Sequence, residues 1–238
     1  MPAERYFIEE KLASDQFITL KDSEFHHLVH VMRTRKGERV ELINGNGTLA
    51  LATLEEVARD KATLLINNVQ EHTKQPSRLI LAQALPKQNR LDFILEKGTE
   101  LGVDEFWLFP GDTSVKKEVY PNQLERNRVV TIAATKQCGR LFVPDIKICD
   151  SIEKWKPFAT TAFYGDVDPA ARLLRDAWHN VKLPVIFVTG PESGFTGGEV
   201  DHLKKLGAQG VKLHDNILRT DTASLAAVAL IYNLLMQE

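Results

Sequence analysis

The sequence predicts an α/β protein in which a small β domain precedes a larger domain with a mostly parallel sheet and helices on both faces. Short stretches of alternating polar and apolar residues fill the chain from Tyr6 to Val69. Beyond a polar, proline-bounded segment, apolar strand-like runs alternate with helical patterns as far as Met236, as in a parallel sheet. The 238 residues, 43% hydrophobic and 26% charged, are enough for two buried cores and exclude disordered, collagenous and coiled-coil proteins.

In the first domain the alternating pattern predicts strands at residues 39–43, 49–54 and 62–66. Residues 44–47 read Asn-Gly-Asn-Gly, and these residue types tolerate the positive φ angles of a tight hairpin. Residues 22–32 predict one helical insert. Its apolar residues at helical spacing are Phe25, Leu28, Val29 and Met32.

Residues 70–76 are polar, end in a proline and lack periodic apolar positions, which is typical of a linker. We therefore place the domain boundary here, giving a first domain of residues 1–73 and a second of residues 74–238.

In the second domain, apolar runs predict a series of strands and helical periodicity predicts the helices between them. The predicted strands are 79–84, 103–109, 161–164, 184–189 and 211–213. The predicted helices are one that begins after Asn89 and ends at Gly102, followed by 123–137, 169–178, 199–206 and 222–236. In such sheets ligands bind at the carboxyl ends of the strands.

Charge and cysteine content narrow the class of protein. Lys and Arg number 30 against 32 Asp and Glu, a formal charge of −2, so any contact with nucleic acid has to be local. The two cysteines, Cys138 and Cys149, are too few for a disulfide framework and suit a reducing compartment. With no long apolar run at its start and polar interruptions in the run from Leu225 to Met236, we expect a cytoplasmic protein without a membrane span.

The first segment that indicates chemistry is residues 187–199, an apolar strand that leads through a glycine-rich loop into a helix. Such loops bring backbone amides close to a ligand. The loop matches neither of the glycine fingerprints for phosphate binding, and Glu192 disfavours an anion, so a neutral, hydroxyl-rich or cationic ligand is expected. The alternative is a plain connection between a strand and a helix.

The second segment is residues 213–223, which joins a strand to the last helix. Thr220, Asp221 or Thr222 would serve as an ordinary helix cap. Arg219 is placed either for an ion pair or for an anionic group in a cleft, and the sequence leaves both open.

Several segments together resemble the 16S ribosomal RNA uridine N3-methyltransferases, a family of the SPOUT superfamily. Residues 190–195 resemble the family's G-P-E-G-G-F loop, residues 217–223 its I-L-R-T-E-T-A segment, and residues 96–103 its Q-K-A-T-E-L-G-V helix end. Residues 137–140 with Pro144 resemble its Q-S-x-R…P stretch. His26-His27-Leu28 with Val31-Met32-Arg33 is similar to its H-H-L…V-L-R segment.

The resemblance implies a PUA-like β-barrel for RNA, followed by a SPOUT domain with a trefoil-knotted parallel sheet. It also implies a homodimer in the cytoplasm, S-adenosylmethionine as methyl donor, and a uridine of the decoding region of the small ribosomal subunit as target. The cofactor residues that it implies are Gly190, Pro191, Glu192, Gly194, Leu213, His214, Ile217, Leu218, Arg219, Thr220 and Ala223. No metal is implied.

The sequence departs from the family pattern at a few positions. Ser193 stands for a glycine, Asp221 for a glutamate and Lys136 for an acidic residue. His214 stands for a glycine, and its ring is expected to narrow the cofactor pocket.

Two catalytic roles are considered. Loss of the N3 proton before or during transfer develops negative charge on the pyrimidine oxygens, and Arg219 is the candidate that stabilises it. Glu192 is a candidate general base, with loop fixing through backbone amides as the alternative.

Candidate RNA contacts are basic side chains in both domains, although such residues often belong to solvated surfaces. The candidates are Arg5, His27, Arg33, Arg35, Lys87, Arg90, Lys116, Lys117 and Arg140. His26 and His30 share a helical face, but no zinc-like spacing follows, so we predict no metal site.

Two other classes of function stay open. The departures at Lys136 and His214 would suit a ribosome-assembly factor that has lost methyl transfer. A Rossmann-like nucleotide enzyme would use the glycine-rich loop for phosphate, which Glu192 disfavours.

Overall fold

The computed structural model describes residues 4–237, which form two compact units. The first unit contains the chain up to Gln75 together with Ile132–Val143. The second contains Pro76–Thr131 and the chain from Pro144 onward.

The first unit is a five-stranded mixed sheet with one helical insert. Its strands are β1 (Arg5–Phe7), β2 (Phe17–Leu20), β3 (Arg39–Ile43), β4 (Thr48–Val57) and β5 (Ala62–Glu71). They lie in the order β1-β3-β4-β5-β2, and every neighbouring pair is antiparallel except β1 and β3. Helix α1 (Asp22–His26) continues as one π-helical turn (His27–Val31) and buries Phe25 and Leu28 in the core of this unit.

The predicted strands at 39–43, 49–54 and 62–66 are confirmed, as is the hairpin between β3 and β4. Gly45 and Gly47 both have positive φ, and the side-chain oxygen of Asn44 accepts the amides of Asn46 and Thr48. A Cβ at Gly47 would lie 2.4 Å from the His72 carbonyl oxygen. Glycine is therefore required at that position of the turn.

Over the residues that the structure describes, the second unit contains six strands, all paired in parallel. They are β6 (Leu79–Ala84), β7 (Glu105–Phe109), β8 (Asp145–Ile148), β9 (Ala162–Gly165), β10 (Val185–Thr189) and β11 (Gln209–Val211). Their order is β11-β9-β10-β6-β7-β8. The predicted parallel sheet is confirmed, although β8, a short edge strand, was not predicted.

Helices cover both faces of this sheet. They are α2 (Gln88–Glu100), α4 (Leu174–Ala177), α5 (Gly197–Lys205) and α6 (Thr220–Leu235), with a 3-10 turn at Ile152–Lys154. Helix α3 (Pro121–Cys138) follows β7 in the chain, and its residues from Ile132 onward belong to the first unit. On one face, side chains of α2, α4 and α6 pack on Leu79, Leu81 and Phe187. On the other, α5 and the 3-10 turn pack on Ile80, Ala82 and Val188. Alternate residues of β6 and β10 thus enter opposite cores.

The predicted helix at 169–178 is wrong, because α4 occupies a single turn of it. The carboxylate of Asp168 accepts the Ala170 amide, and that of Asp166 accepts the Asp168 amide. These local hydrogen bonds hold the segment in turns and compete with a helix.

The other helix predictions are confirmed within a few residues. The first helix of the second unit ends before Gly102, whose φ of 98° provides the left-handed residue that commonly follows a helix. Within residues 4–237 no helix is long and apolar enough to cross a membrane.

Candidate functional site

A cavity of about 760 Å³ opens at the carboxyl ends of β9, β10 and β11 in the second unit. Most of its lining comes from three segments at or after the ends of these strands: residues 164–167 with Pro169, residues 189–195, and residues 211–218 with Thr220. Cavities that bind small molecules in proteins span roughly 300–1,000 Å³. The location is the one expected for a ligand site in a parallel sheet.

The glycine-rich loop forms one wall, as the sequence predicted. β10 ends at Thr189, the loop follows, and α5 begins after Thr196. A capping box fixes this end: the Thr196 hydroxyl accepts the Glu199 amide, and the Glu199 carboxylate accepts the Thr196 amide at 2.8 Å. A Cβ at Gly190 would lie 3.2 Å from the Phe195 amide nitrogen, so the loop closes tightly on itself.

Glu199 also connects this loop to the loop after β7. Its carboxylate accepts the Asp112 amide at 2.9 Å and is almost fully buried, with 1% of the residue exposed. The Thr113 hydroxyl donates to the Gly194 carbonyl oxygen at 3.0 Å. Residues 112–113 thereby support the glycine-rich loop from outside the cavity.

The start of α6 forms the opposite wall, and here the prediction of an ordinary cap is wrong. The N-cap residue is Arg219, and among the described residues no side chain caps the helix. The Thr220 hydroxyl instead donates to the carbonyl oxygen of Gly190 at 2.7 Å. Thr220 therefore joins the two walls: its hydroxyl bonds the glycine-rich loop and does not cap α6.

The Arg219 side chain is exposed and has no hydrogen-bond or ion-pair partner within residues 4–237. Both of its neighbours in sequence, Leu218 and Thr220, line the cavity. Of the two alternatives that the sequence left open, the ion pair is not formed. Its guanidinium is available to an anionic group beside the cavity.

Glu192 lies on the loop and takes part in a small charged cluster. Its Oε1 accepts the Lys87 amide at 3.0 Å and lies 3.7 Å from Arg90 Nε. Arg90 Nη1 also donates to Asp221 Oδ2 at 2.8 Å. Glu192 accepts a backbone amide in the way that the loop-fixing alternative expected.

The structure brings the predicted cofactor residues together around the cavity. All of them except Arg219 lie in its lining: Gly190, Pro191, Glu192, Gly194, Leu213, His214, Ile217, Leu218, Thr220 and Ala223. Ser193 lines it too. The imidazole Nδ1 of His214 accepts the Asn216 amide at 2.9 Å, so this exposed ring stabilises a local turn.

Sequence reasoning missed Asp166 and Tyr164, which line the cavity after and within β9. The Tyr164 hydroxyl donates to Asp166 Oδ2 at 3.4 Å. Burial, and secondly the Asp166 carboxylate, raise the pKa of Tyr164 to about 12. The sequence did carry one signal for them, since both lie at the carboxyl end of a predicted strand, where ligands bind in parallel sheets.

Two further observations indicate the chemistry of a ligand. Thr189 Oγ1 is buried in the lining and has no hydrogen-bond partner in the described chain, so it is free to bond a ligand. Among the charged side chains of the lining, Lys212 Nζ is paired with Asp215 at 3.2 Å, while Asp166 and Glu192 add negative charge. The lining favours a ligand that carries positive charge and hydroxyl groups.

The candidate RNA contacts in the first unit differ in how far they are engaged. Arg5 Nε forms an ion pair with Glu41 at 2.6 Å, and its Nη1 donates to the carbonyl oxygen of Arg140 at 3.4 Å. His27, Arg33 and Arg35 are exposed. Arg5 is therefore engaged within the unit, whereas the side chains of His27, Arg33 and Arg35 face solvent.

The candidates in the second unit are more constrained. Lys116 Nζ donates to Gln88 Oε1 at 3.0 Å, and Lys117 Nζ donates to the carbonyl oxygens of Gly111 and Asp112 at 2.6 and 2.7 Å. Arg90 is paired with two carboxylates, as described above. Lys87 is exposed and lends its backbone amide to Glu192.

His26 and His30 have ring centroids 5.2 Å apart. Over residues 4–237 no group of three or more His, Cys, Asp or Glu side chains is arranged to hold a metal ion.

Lys136, which departs from the family pattern, has a structural partner. Its Nζ lies 2.5 Å from Glu24 Oε1, and both side chains are about four-fifths buried in the first unit. The positive charge of Lys136 therefore forms a largely buried ion pair within that unit.

Comparison with known proteins gives matches over nearly the whole chain. A family model described as an RNA methyltransferase domain matches residues 73–232, and one described as an RNA methyltransferase PUA domain matches residues 20–67. A Bacillus subtilis protein named ribosomal RNA small subunit methyltransferase E is 29% identical over 96% of this chain and 95% of its own length. A Synechocystis protein of the same name is 30% identical over 92% of this chain and 73% of its own.

Solved structures give the same result. The crystal structure of a ribosomal RNA small subunit methyltransferase E from Neisseria gonorrhoeae, bound to S-adenosyl methionine, superposes with a TM-score of 0.85, 29% identity and 98% coverage of each chain. A probable rRNA-methyltransferase from Porphyromonas gingivalis gives 0.83 and 28%, over 98% of this chain and 99% of that one. The predicted fold class, a PUA-like β domain followed by a SPOUT-type α/β domain, is confirmed.

Proposed function

The chain belongs to the RNA methyltransferase family of the SPOUT superfamily, and from that premise we propose that it methylates the N3 atom of a uridine in the decoding region of 16S ribosomal RNA, with S-adenosylmethionine as donor. One observation supports this most: the predicted cofactor residues meet around one cavity at the carboxyl edge of the sheet, with the free Arg219 beside it. The solved relative from Neisseria gonorrhoeae binds S-adenosyl methionine.

The cavity suits this donor in size and in chemistry. When bound, S-adenosylmethionine supplies a methyl group on a cationic sulfur. The carboxylates of Asp166 and Glu192 favour positive charge in the cavity, and the unpaired hydroxyl of Thr189 can bond a polar ligand atom. Gly190 and Leu213 lie in the same lining, and we assign contacts with the adenine to the main chain of these two residues.

Arg219 is assigned to the substrate. Methylation at N3 requires the base to be unpaired. The N3 proton passes to solvent, the N3 electron pair forms the new bond to the methyl carbon, and the electrons of the broken sulfur–carbon bond stay on sulfur, which leaves neutral S-adenosylhomocysteine. Before the transfer, loss of this proton leaves negative charge on N3 and the adjacent oxygens of the uracil, and an unpaired guanidinium is suited to stabilise that charge. The planar guanidinium can donate two hydrogen bonds at once to neighbouring polar atoms of the base, whereas the ammonium group of a lysine is a compact point charge.

Glu192 is proposed as a residue that fixes the loop. Its carboxylate is already bonded to the Lys87 amide and lies 3.7 Å from Arg90 Nε. The same contacts make Glu192 a support for the wall that holds the cofactor.

The first domain, residues 1–73, is proposed to bind the RNA and the second, residues 74–238, to transfer the methyl group. The PUA description of the model that matches residues 20–67 supports this division. In the first unit the exposed side chains of His27, Arg33 and Arg35 are the contacts we expect to be used. Affinity for the RNA should fall steeply as salt rises, since phosphate contacts release counterions, and a salt-independent affinity would contradict this.

The trefoil knot, the homodimer and a cytoplasmic location belong to the same proposal. For the dimer, α6 exposes Leu230, Met236 directly after α6 is exposed as well, and α2, which packs against α6, exposes Phe93. Exposed apolar side chains on adjacent helices are suited to contact with a second copy. Light scattering that gave a stable monomer would remove the dimer from the proposal.

The deciding experiment is transfer of a labelled methyl group from S-adenosylmethionine to small ribosomal subunits that lack their native modification, followed by mass spectrometry of the nucleosides. Recovery of the label as N3-methyluridine supports the reaction, the cofactor and the target atom together. Label at another atom would support a methyltransferase activity but refute methylation at N3. Intact RNA binding without label would instead favour an assembly factor that has lost the chemistry.

A further inference from the structure

A buried hydrogen-bond network links the two walls of the cavity through Gln83. Gln83 is the one polar residue of β6, and it is fully buried. It pairs in register with Thr189, the residue that precedes Gly190. Its side chain lies on the face of the sheet that α6 covers, next to the positions of Leu81 and Phe187.

Every polar atom of the Gln83 amide has a partner. Nε2 donates to the Ala84 carbonyl oxygen at 2.8 Å and to Thr220 Oγ1 at 3.0 Å, with the Gly190 carbonyl oxygen 3.5 Å away. Oε1 accepts the Ser224 hydroxyl at 2.5 Å. The opposite orientation of the amide would place an oxygen against the Ala84 carbonyl, which can only accept, so the contacts fix the orientation shown.

Thr220 and Ser224 extend the network along α6. Thr220 Oγ1 accepts from Gln83 while donating to the Gly190 carbonyl oxygen. Ser224 Oγ lies 2.9 Å from the Thr220 carbonyl oxygen one turn earlier. A single amide on a central strand thereby holds the start of the glycine-rich loop and the first turn of α6.

The two held residues cannot be positioned by their own side chains. Gly190 has none, and the guanidinium of Arg219 has no partner among the residues that the structure describes. The place of each is therefore determined by its backbone, which the network anchors at Gly190 itself and at Thr220. Fully satisfied buried networks rigidify their surroundings and specify one arrangement.

We propose that Gln83 is a positioning residue for methyl transfer: through Thr220 it sets the distance between the cofactor wall at Gly190 and the substrate-facing Arg219. This inference rests on the proposed function for its catalytic consequence. Its structural part, that Gln83 holds loop 190–196 and the first turn of α6, stands without it.

The test compares Gln83→Leu, which removes the amide at similar volume, with Ser224→Ala, which removes one donor. The matched control is Thr99→Val, because Thr99 is also fully buried in the second unit and its hydroxyl bonds the Leu95 carbonyl within α2. Thr99 does not line the cavity. The readouts are hydrogen exchange of residues 190–196 and 220–224, the Kd of S-adenosylmethionine by calorimetry, and kcat for methyl transfer.

For Gln83→Leu we expect faster exchange in both segments, a Kd for S-adenosylmethionine about tenfold weaker, and a kcat lower by about 100-fold, the effect of misplacing reacting groups by about 1 Å. Ser224→Ala should show the same pattern to a smaller degree, and it serves as the test if Gln83→Leu fails to fold. Thr99→Val should leave kcat and Kd within about twofold of the wild type, although it loses a buried hydrogen bond.

Wild-type exchange, Kd and kcat in either network variant would overturn the inference. Equal losses in Thr99→Val would overturn it too, since they would trace the effect to general stability. If the wild-type protein binds no S-adenosylmethionine and transfers no methyl group, the proposed function fails, and the exchange measurement alone then decides whether Gln83 holds the two segments.

Discussion

Replacing Glu199 with glutamine should destabilise the second unit while leaving its shape unchanged. The carboxylate of Glu199 accepts two backbone amides, that of Thr196 at 2.8 Å and that of Asp112 at 2.9 Å. Glutamine has the same size but a single oxygen, so one amide N–H would face the new NH2 group. With 1% of the residue exposed, water cannot take the place of the lost acceptor at the side chain.

The magnitude follows from the two interactions that Glu199→Gln removes. A hydrogen bond to a charged group contributes roughly 1.5–3 kcal/mol. Loss of a negative charge in the first turn of α5 adds about 0.3–1 kcal/mol, because the helix dipole is positive there. The expected decrease in the free energy of unfolding is about 3 kcal/mol, which for a chain of this length lowers Tm by about 6–12 °C.

Thermal and urea unfolding of wild type, Glu199→Gln and Glu118→Gln would measure this. Glu118 is exposed in the same unit, so its substitution controls for the lost charge and should change stability by less than about 0.5 kcal/mol. A Glu199→Gln variant that melts within about 2 °C of the wild type would refute the reasoning, since the two amides would then have found other acceptors.

Three further predictions concern other parts of the molecule. Arg219→Lys should lower kcat for methyl transfer by about 100-fold and leave the calorimetric Kd of S-adenosylmethionine within about threefold; a fully active variant would remove Arg219 from the mechanism. Burial raises the pKa of Tyr164 from 10.0 to about 12, so its contribution to stability is complete below pH 10 and is lost as the pH rises towards 12. Tyr164→Phe should flatten the decline in urea midpoint over that interval, and an unchanged decline would contradict the assignment. Lys136→Glu should destabilise by about 2 kcal/mol, since it places two carboxylates together, and the exchanged pair Glu24→Lys/Lys136→Glu should recover more than half of that loss in a double-mutant cycle, whereas simple additivity would rule out the ion pair.

Sequence patterns predicted the buried strands well because each depends on local information. The strands β6 and β10 are short, almost wholly apolar runs, a pattern set by burial on both faces. The edge strand β8 escaped prediction because Asp145 and Lys147 alternate with only partly covered isoleucines. β8 is extended because it pairs with β7, its one neighbour in the described sheet, and local sequence does not show this pairing.

In the candidate site too, residues that are recognisable from local sequence were predicted, and residues that depend on distant partners were not. The glycine-rich loop and the segment before α6 were predicted because their residue types are unusual in themselves. Gln83 and Glu199 were not, since their partners lie far along the chain: Gln83 bonds Thr220, 137 residues away, and Glu199 bonds Asp112, 87 residues away. A lone glutamine in an apolar strand acquires meaning when the fold brings such partners to it.

The place of β6 in the sheet bears on how a ribosome makes this protein. β6 is the first strand of the second unit to be synthesised, yet one of its two neighbours, β10, begins about 100 residues after β6 ends. At roughly 5–20 residues per second, one edge of β6 stays unpaired for about 5–20 s after it emerges. A fragment that stops before Val185 would keep that apolar edge open permanently, and such edges promote association between chains. Versions of this domain that stop before Val185 should therefore be recovered as aggregates, so a useful fragment has to extend past β10.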